Sequence, residues 1–175
     1  MKTNSTETFP TVLAQLEPLR SRGWLTHFNG SAVIPGLITV VGTGNTPFDL
    51  LIANTTYRDI FFDAPLDQLW GEDAPNNATA YTSENSYYAS VAFDATIGKP
   101  WLGQLLPDQV RKIRGQIAMA KGIGLVSRYW DTSAWPVGTR DNVWNVLEKE
   151  GVGILNVDDL EAASKRKWDE GILRS

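Results

Sequence analysis

Strand-like and helix-like segments alternate through the second half of the chain, and this alternation restricts the fold more than any other feature of the sequence. The elements it predicts are a helix from Pro107 to about Gly122, a strand at 124–130, a helix containing 143–147 and closed by Gly151, a strand at 152–156, and a helix that Asp159 caps and that runs to about Trp168. Such alternation is typical of parallel sheets covered by helices. The sequence therefore predicts an α/β fold.

The first half of the chain contains further elements in a less regular order. The pattern predicts a helix capped by Thr8 with Pro10 in its first turn and stopped by Gly23, a strand at 38–41, a brief helix capped by Asn45 or Thr46 and led by Pro47, a strand at 60–62, a loop at 71–86, and a strand at 87–93. With 175 residues, of which 42% are hydrophobic and 21% charged, the chain predicts one soluble domain spanning 1–175.

Composition excludes several classes of function. The net charge of −4 and the lack of a long basic run argue against nucleic-acid binding. Because the chain has no Cys and one His, disulfides and a Cys nucleophile are excluded, and structural zinc nearly so. No run reaches the roughly 18 apolar residues of a membrane-spanning helix, and the N-terminus resembles no signal peptide. We expect no transmembrane segment, and any metal would require oxygen ligands.

Four N-glycosylation acceptor patterns point to secretory or extracellular exposure of a longer parent protein. They begin at Asn4, Asn29, Asn54 and Asn77. Coincidence in loops rich in Asn and Thr is the alternative, because the pattern is short. The sequence therefore does not decide the cellular compartment of the protein.

Two architectures fit a parallel sheet of this kind. In an open doubly wound sheet, ligands bind beyond the carboxyl ends of the strands at a switch point; in a (β/α)8 barrel, they bind across the whole carboxyl face. The turn Gly42-Thr43-Gly44 offers a partial dinucleotide-binding pattern, but Pro47 replaces its third glycine. A plain turn with a helix cap, or weak phosphate binding at that helix, is the alternative.

The segment RYWDTSAWP, residues 128–136, places polar and aromatic side chains where a predicted strand ends. Alternation along the strand puts Arg128 and Trp130 on one face and Tyr129 on the other. A guanidinium binds phosphate oxygens bidentately, and Asp131 can hold either that Arg or a substrate hydroxyl. The alternative is an inward salt bridge with aromatic packing.

Further polar residues stand at the ends of neighbouring predicted strands. Asn156 and Asp158 share a face of the next strand and either line a pocket or cap the last helix. Asp63 ends the 60–62 strand and either faces the site or forms a turn before Pro65. Since carboxyl ends of parallel strands emerge on one side, we expect Lys2, the 42–45 turn, Asp63, Trp130 and Asp158 to gather at one end.

Several long segments resemble the C-terminal portion of the fungal PLC-like phosphodiesterases, the altered inheritance of mitochondria protein six family. They are MKTN, GWLTHFNG, TVVGTGNTPFDLL, YRDIFFDAPLDQLWGEDAP, NSYYASVAF, RYWDTSAWP and GVGILNVDDL. The family is similar to glycerophosphodiester phosphodiesterases and spider-venom sphingomyelinases D. The resemblance implies a (β/α)8 TIM barrel, of which this chain forms about the C-terminal half, and magnesium-dependent cleavage of phosphodiesters.

The resemblance also implies which parts of the site this chain holds. Lys2 matches the Lys of an Asp-x-Lys motif and would stabilise phosphate, while the metal-binding Asp would stand just before Met1. Trp130 matches a Trp that walls the substrate site. His27 matches neither family catalytic His and is expected to be plain packing or surface. The chain alone is therefore expected to lack the His pair and to bind Mg²⁺ poorly.

Two functions from different classes follow. In the complete parent, the chain would belong to a phosphoric diester hydrolase acting on a phosphodiester or phospholipid-type small molecule. By itself, it would instead be a non-catalytic fragment or a binding and assembly module. A barrel lacking strands leaves open sheet edges, so self-association is expected as well.

Overall fold

The structure is a computed structural model that describes residues 5–70 and 80–168. Its helices are α1 (Ser5–Gln15), α2 (Glu17–Arg20), α3 (Phe48–Ile52), α4 (Phe93–Thr96), α5 (Pro107–Gly122), α6 (Val137–Lys149) and α7 (Leu160–Lys165), with a 3₁₀ turn at Leu66–Gln68. Its strands are β1 (His27–Phe28), β2 (Val33–Ile34), β3 (Val41–Gly42), β4 (Phe61–Pro65), β5 (Ser86–Ala92), β6 (Val126–Trp130) and β7 (Ile154–Leu155).

A five-stranded parallel sheet, in the order β3-β4-β5-β6-β7, confirms the mixed α/β prediction. Val41 pairs with Phe61 where β3 meets β4, and Arg128 pairs with Ile154 where β6 meets β7. The chain crosses from β5 to β6 through α5 and from β6 to β7 through α6. Spatial order follows chain order, as is common where consecutive parallel strands pair with one another. A separate hairpin pairs β1 with β2 antiparallel.

Contacts between residues divide the chain into two compact units. The first comprises Met1–Ala64, Thr79–Tyr88 and Ile123–Leu125, and the second comprises Pro65–Ala78, Ala89–Gly122 and Val126–Ser175. The single domain at 1–175 stays a prediction.

The first unit is built around an apolar cluster and a buried ion pair. Phe9 of α1, Leu51 of α3 and Ile60 before β4 form the centre of the cluster. Arg20 binds both carboxylate oxygens of Asp59, whose side chain is buried. Because a buried carboxylate needs such partners, this pair fixes the end of α2 against the entry to β4.

The second unit packs α5 and α6 around buried aromatic side chains. Tyr129 of β6 is fully buried and meets Phe93 edge to face, with ring centroids 6.1 Å apart. Its hydroxyl donates to Gln116 Oε1 of α5 at 2.9 Å. Burial raises the pKa of the Tyr129 phenol, which keeps this donor protonated at neutral pH.

Predicted boundaries differ from the structure at the ends of several elements. Helix α1 begins at Ser5, so Thr8 is no cap and its hydroxyl donates back to the Ser5 carbonyl at 3.4 Å. Pro10 lies inside the helix, where its missing N–H removes one hydrogen bond. The packing of Phe9 in the apolar cluster explains why the helix nevertheless continues through the proline.

The predicted strand at 38–41 is shorter and later in the structure. Ile38 makes only an isolated bridge to Leu25, and β3 covers Val41 and Gly42. Neither Asn45 nor Thr46 caps α3, since Pro47 is its N-cap and the Thr46 hydroxyl donates to the Thr43 carbonyl. The capping prediction was therefore wrong.

Other boundaries moved in the second half. Helix α6 (Val137–Lys149) contains the predicted 143–147 segment and begins directly after Pro136. Strand β7 ends at Leu155, which leaves Asn156 outside it. The predictions for α5 and for Asp159 as the cap of α7 are confirmed. Residues 71–79 of the predicted loop lie outside the described residues. No helix in the described part of the chain is long and apolar enough to cross a membrane.

Two glycines of α5 provide a test of this packing. A Cβ added at Gly115 would lie 2.2 Å from Cε2 of Trp70, whereas one added at Gly122 meets nothing within 4 Å. We expect Gly115→Ala to lower the free energy of unfolding by about 1–3 kcal/mol because of overpacking. Gly122→Ala should raise it by a few tenths up to about 1 kcal/mol, because Ala favours helix. Urea unfolding measures both; equal changes would contradict the packing of Trp70 on α5.

Candidate functional site

Two predicted substrate-binding residues meet at the carboxyl ends of β6 and β7. Arg128 lies on β6, and Asn156 follows the last residue of β7. Arg128 Nη2 donates to Asn156 Oδ1 at 2.7 Å. This contact follows from the parallel pairing of the two strands, which places Arg128 opposite Ile154.

Alternation along β6 separates the polar face from the core. Ser127 and Tyr129 are buried, whereas Arg128 is half-buried and Trp130 is 45% exposed. Trp130 and Arg128 therefore share the face that does not pack into the core, as the sequence predicted. An indole next to a guanidinium forms a surface with one apolar wall and one cationic group.

The guanidinium of Arg128 keeps most of its hydrogen-bonding capacity. It has five N–H donors, and the contact with Asn156 uses one of them. In the described residues, no salt bridge joins Arg128 to a carboxylate, Asp131 included. Asp131 has a φ of 57°, a left-handed conformation that turns the chain out of β6. An oriented cation without a carboxylate partner suits an anionic ligand.

The position of Asp158 corrects one prediction. Because β7 ends at Leu155, Asn156 and Asp158 do not share a strand face; both lie in the loop before α7. Asp158 is exposed there. The capping role belongs to Asp159, whose Oδ1 accepts from the Ala162 N–H at 2.9 Å.

A charged cluster on α6, which the sequence analysis missed, holds this loop. Arg140 Nη1 donates to Asp159 Oδ2 at 2.7 Å, its Nε donates to Asp141 Oδ1 at 2.9 Å, and its guanidinium lies 4.7 Å from the centroid of the Trp144 ring. The Ala162 N–H, and then Arg140, hold the pKa of Asp159 below its usual value. The helical spacing of Arg140 and Trp144 was a signal that could have revealed the stack.

The remaining predicted residues lie elsewhere. Lys2 is outside the described residues. Asp63 is half-buried inside β4, which runs on to Pro65, so the prediction that Asp63 ends the strand was wrong. Pro65 fits the last position of the strand because it lacks an N–H for the ladder. Of the residues expected to gather at one end, the second unit brings Trp130 and Asp158 to the carboxyl ends of neighbouring strands.

His27 packs as expected, although it lies in strand β1 and not in a loop. Its Nδ1 is 3.2 Å from the Leu25 carbonyl oxygen, and its ring stacks on Tyr57 with centroids 5.2 Å apart. Among residues 5–70 and 80–168, no three His, Cys, Asp or Glu side chains come together as a metal site would require.

Sequence similarity relates the chain to one family of fungal proteins. The family model for the AIM6-like phosphodiesterase domain matches residues 1–63. The altered inheritance of mitochondria protein 6 homolog of Arthroderma benhamiae is 35% identical, over 93% of this chain and 50% of its own length. Altered inheritance of mitochondria protein 6 of Eremothecium gossypii is 30% identical, over 90% of this chain and 42% of its own length.

The matched domain model is named for a phosphodiesterase, so the chain is similar to a phosphodiesterase-type family. Within it, the chain matches the fungal AIM6 family. The chain spans about half the length of the curated relatives it matches, or slightly less. No solved structure matches it.

The lowered pKa of Asp159 predicts an acid sensitivity. A carboxylate whose pKa is lowered by folding stabilises the fold above its unfolded value, here 3.8, and this stabilisation is lost as the pH falls through the folded value. We expect Asp159→Asn to flatten the fall of melting temperature below about pH 4, because Asn still caps a helix but carries no charge. Asp158→Asn is the matched control and should leave the slope unchanged. Identical slopes for all three proteins would contradict the proposed role of Asp159.

Proposed function

We propose that the protein containing this chain is a phosphoric diester hydrolase of lipid or glycerophosphodiester type, and that the chain forms about the C-terminal half of its (β/α)8 barrel. The matched family model is named for a phosphodiesterase domain. The parallel sheet with α5 and α6 as crossovers has the local architecture of such a barrel. The share of the relatives that the chain spans fits a partial barrel.

The observation that carries this proposal is the hydrogen bond from Arg128 to Asn156. The amide of Asn156 orients the guanidinium, and no carboxylate of the described residues forms a salt bridge with it. Its remaining donors are therefore proposed to bind two oxygens of one phosphate group. Trp130 on the same strand face then supplies an apolar wall for the organic part of the ligand.

In the proposed reaction, an oxygen nucleophile forms a bond to phosphorus while the bond to the leaving alcohol breaks. Negative charge builds on the phosphoryl oxygens, and Arg128 stabilises it. The leaving alkoxide takes up a proton from a general acid. We assign the acid and the base to the part of the protein outside this chain, and a phosphate contact to Lys2.

Magnesium is the cofactor that the family resemblance implies. Across the described ranges, the acidic and His side chains form no cluster of three, so these residues do not fit a metal site by themselves. The role proposed for this chain is therefore phosphate binding. Weak binding of Mg²⁺ by the chain alone stays a prediction.

A non-catalytic assembly module is the second candidate. In the sheet of the described residues, β3 and β7 are the edges, and each has only two residues. Short edge strands limit pairing with another chain, so they weaken the case for self-association through open edges. Association remains a proposal that equilibrium sedimentation can test.

Exposure to the secretory pathway also remains a proposal. Asn29 and Asn54 are exposed in turns, each with Oδ1 accepting backbone N–H groups, at 3.0 Å from Ser31 and from Thr56 respectively. Asn4 and Asn77 lie outside the described residues.

The first functional prediction compares the chain with a longer protein. We expect the chain alone to show no magnesium-dependent hydrolysis of a lysophospholipid or a glycerophosphodiester, because it is expected to lack the acid and base. The protein extended to the full length of its relatives should hydrolyse one of them, and a chelator should stop the reaction. Turnover by the chain alone would show that the catalytic residues lie among those assigned here to structure.

The second functional prediction concerns the neutral partner of Arg128. In the extended protein, Asn156→Asp would place a carboxylate beside the guanidinium and neutralise it, so we expect kcat/KM to fall about 10²–10³-fold. Arg128→Lys should have a similar effect, since Lys cannot bind two oxygens in a planar fork.

Arg111→Lys is the matched control, because Arg111 is largely exposed on α5. Its kcat/KM should equal that of the parent protein. An unchanged kcat/KM for both Asn156→Asp and Arg128→Lys would show that Arg128 does not bind phosphate and has a purely structural role.

A further inference from the structure

A tight turn between α4 and α5 has an unfavourable residue at its tip. The Trp101 N–H donates to the Gln104 carbonyl, and the Gln104 N–H donates to the Trp101 carbonyl, both at 2.9 Å. The two residues between them have positive φ angles, 48° at Leu102 and 80° at Gly103. Turns of this type favour Asn or Gly at both positions, because other side chains are strained there. Leu102 therefore occupies a place where Asn would suit the fold better.

The same leucine gains no packing in return for this strain. Leu102 is 86% exposed, and its neighbour Trp101 is 68% exposed. Because both side chains are exposed, neither buries enough apolar surface to offset the backbone strain at Leu102. Strain that folding does not explain directs attention to a binding role.

Leu102 lines a groove that an exposed aromatic side chain, Trp135, also lines. The groove has a volume of about 680 Å³, and Trp135, which is 78% exposed, lies in the loop that follows β6. Pro100 and Pro136 add further apolar surface, and Ser133 and Thr139 contribute hydroxyls. Two loops of the second unit thus contribute exposed apolar side chains to the lining of one groove.

The charge of the groove differs from that of the whole chain. Among the lining residues that the structure describes, Lys99 alone is charged and none is a carboxylate, although the chain has a net charge of −4. An apolar surface with a cation and indoles at its margin complements the boundary between lipid headgroups and acyl chains, where Trp and Lys side chains are favoured.

We propose that this groove docks on the surface of an anionic phospholipid bilayer, with Leu102, Trp101 and Trp135 inserted at the interface and Lys99 among the headgroups. The choice of a phospholipid partner rests on the proposed function, because a lipid phosphodiester must be reached at a membrane. Docking itself requires no turnover.

The test uses the full chain and sedimentation with vesicles of phosphatidylcholine, with and without phosphatidylserine. We expect Leu102→Asn to weaken the partition coefficient about tenfold or more, as expected for the loss of one buried leucine. The same variant should keep or raise the melting temperature, because Asn tolerates positive φ. Lys99→Gln should weaken binding only to vesicles that contain phosphatidylserine.

Leu37→Asn is the matched control, because Leu37 is 82% exposed in the first unit and does not line the groove. It should leave the partition coefficient unchanged. Equal losses for the Leu37 and Leu102 variants, or no binding of the parent chain to either vesicle, would overturn the proposal. If vesicles are not bound and Leu102→Asn instead alters the mass in solution, the groove is a contact between copies of the chain and the proposal is wrong.

Binding and hydrolysis are measured separately. An extended protein that hydrolyses no phosphodiester while its vesicle binding depends on Leu102 would refute the proposed function and support docking. Hydrolysis of a soluble diester without vesicle binding would refute docking and leave the proposed function in place.

Discussion

The close parallel pairing of β6 with β7 is the constraint on which the candidate site depends. Gly153, just before β7, donates its N–H to the Ser127 hydroxyl at 3.0 Å. A Cβ at this glycine would lie 2.7 Å from Cγ1 of Val126 and 3.0 Å from the Ser127 nitrogen. Only a residue without a side chain permits this approach. The approach in turn sets the register that brings Arg128 to Asn156.

One face of β6 packs into the core, and the other face holds a charged side chain. Tyr129 points into the core, where its hydroxyl needs Gln116 as a partner because an unpaired buried hydroxyl would cost about 1–3 kcal/mol. Gln116 Nε2 is buried and makes no hydrogen bond. The hydrogen bond from Tyr129 to Gln116 fixes α5 against β6 inside the core. Arg128, one residue away, is held half-buried on the other face by that same strand.

The sequence predicted elements best where local chemistry and packing agree. Pro107 and Gly122 bound α5 because proline suits a first turn and glycine a last one. The bounds of α6 were harder to predict, because its apolar residues indicate only the buried middle of the helix. Its first turn is stabilised by the stacking of Arg140 on Trp144 and by the ion pair of Arg140 with Asp159, which lies 19 positions further along the chain. No local pattern reveals a partner at that distance.

In the candidate site, too, local patterns were predictable from the sequence and distant partners were not. Alternation predicted that Arg128 and Trp130 share a face, and the parallel sheet predicted that residues after β7 lie nearby. The sequence alone did not decide which nearby group holds the guanidinium, since Asp131 stood three positions away and Asn156 much further. The left-handed conformation of Asp131 turns the chain away after β6, and the register then favours Asn156.

A neutral partner has a chemical consequence that a carboxylate partner would not have. An Arg bound to Asp131 would be a closed ion pair, and a phosphate would have to displace the carboxylate to bind. Bound to Asn156, the guanidinium is oriented by a hydrogen bond, and within 5–70 and 80–168 no carboxylate pairs with its positive charge. Orientation in advance lowers the entropic cost of binding, and the unpaired charge supplies the attraction. The β6–β7 register thus positions a cation without neutralising it.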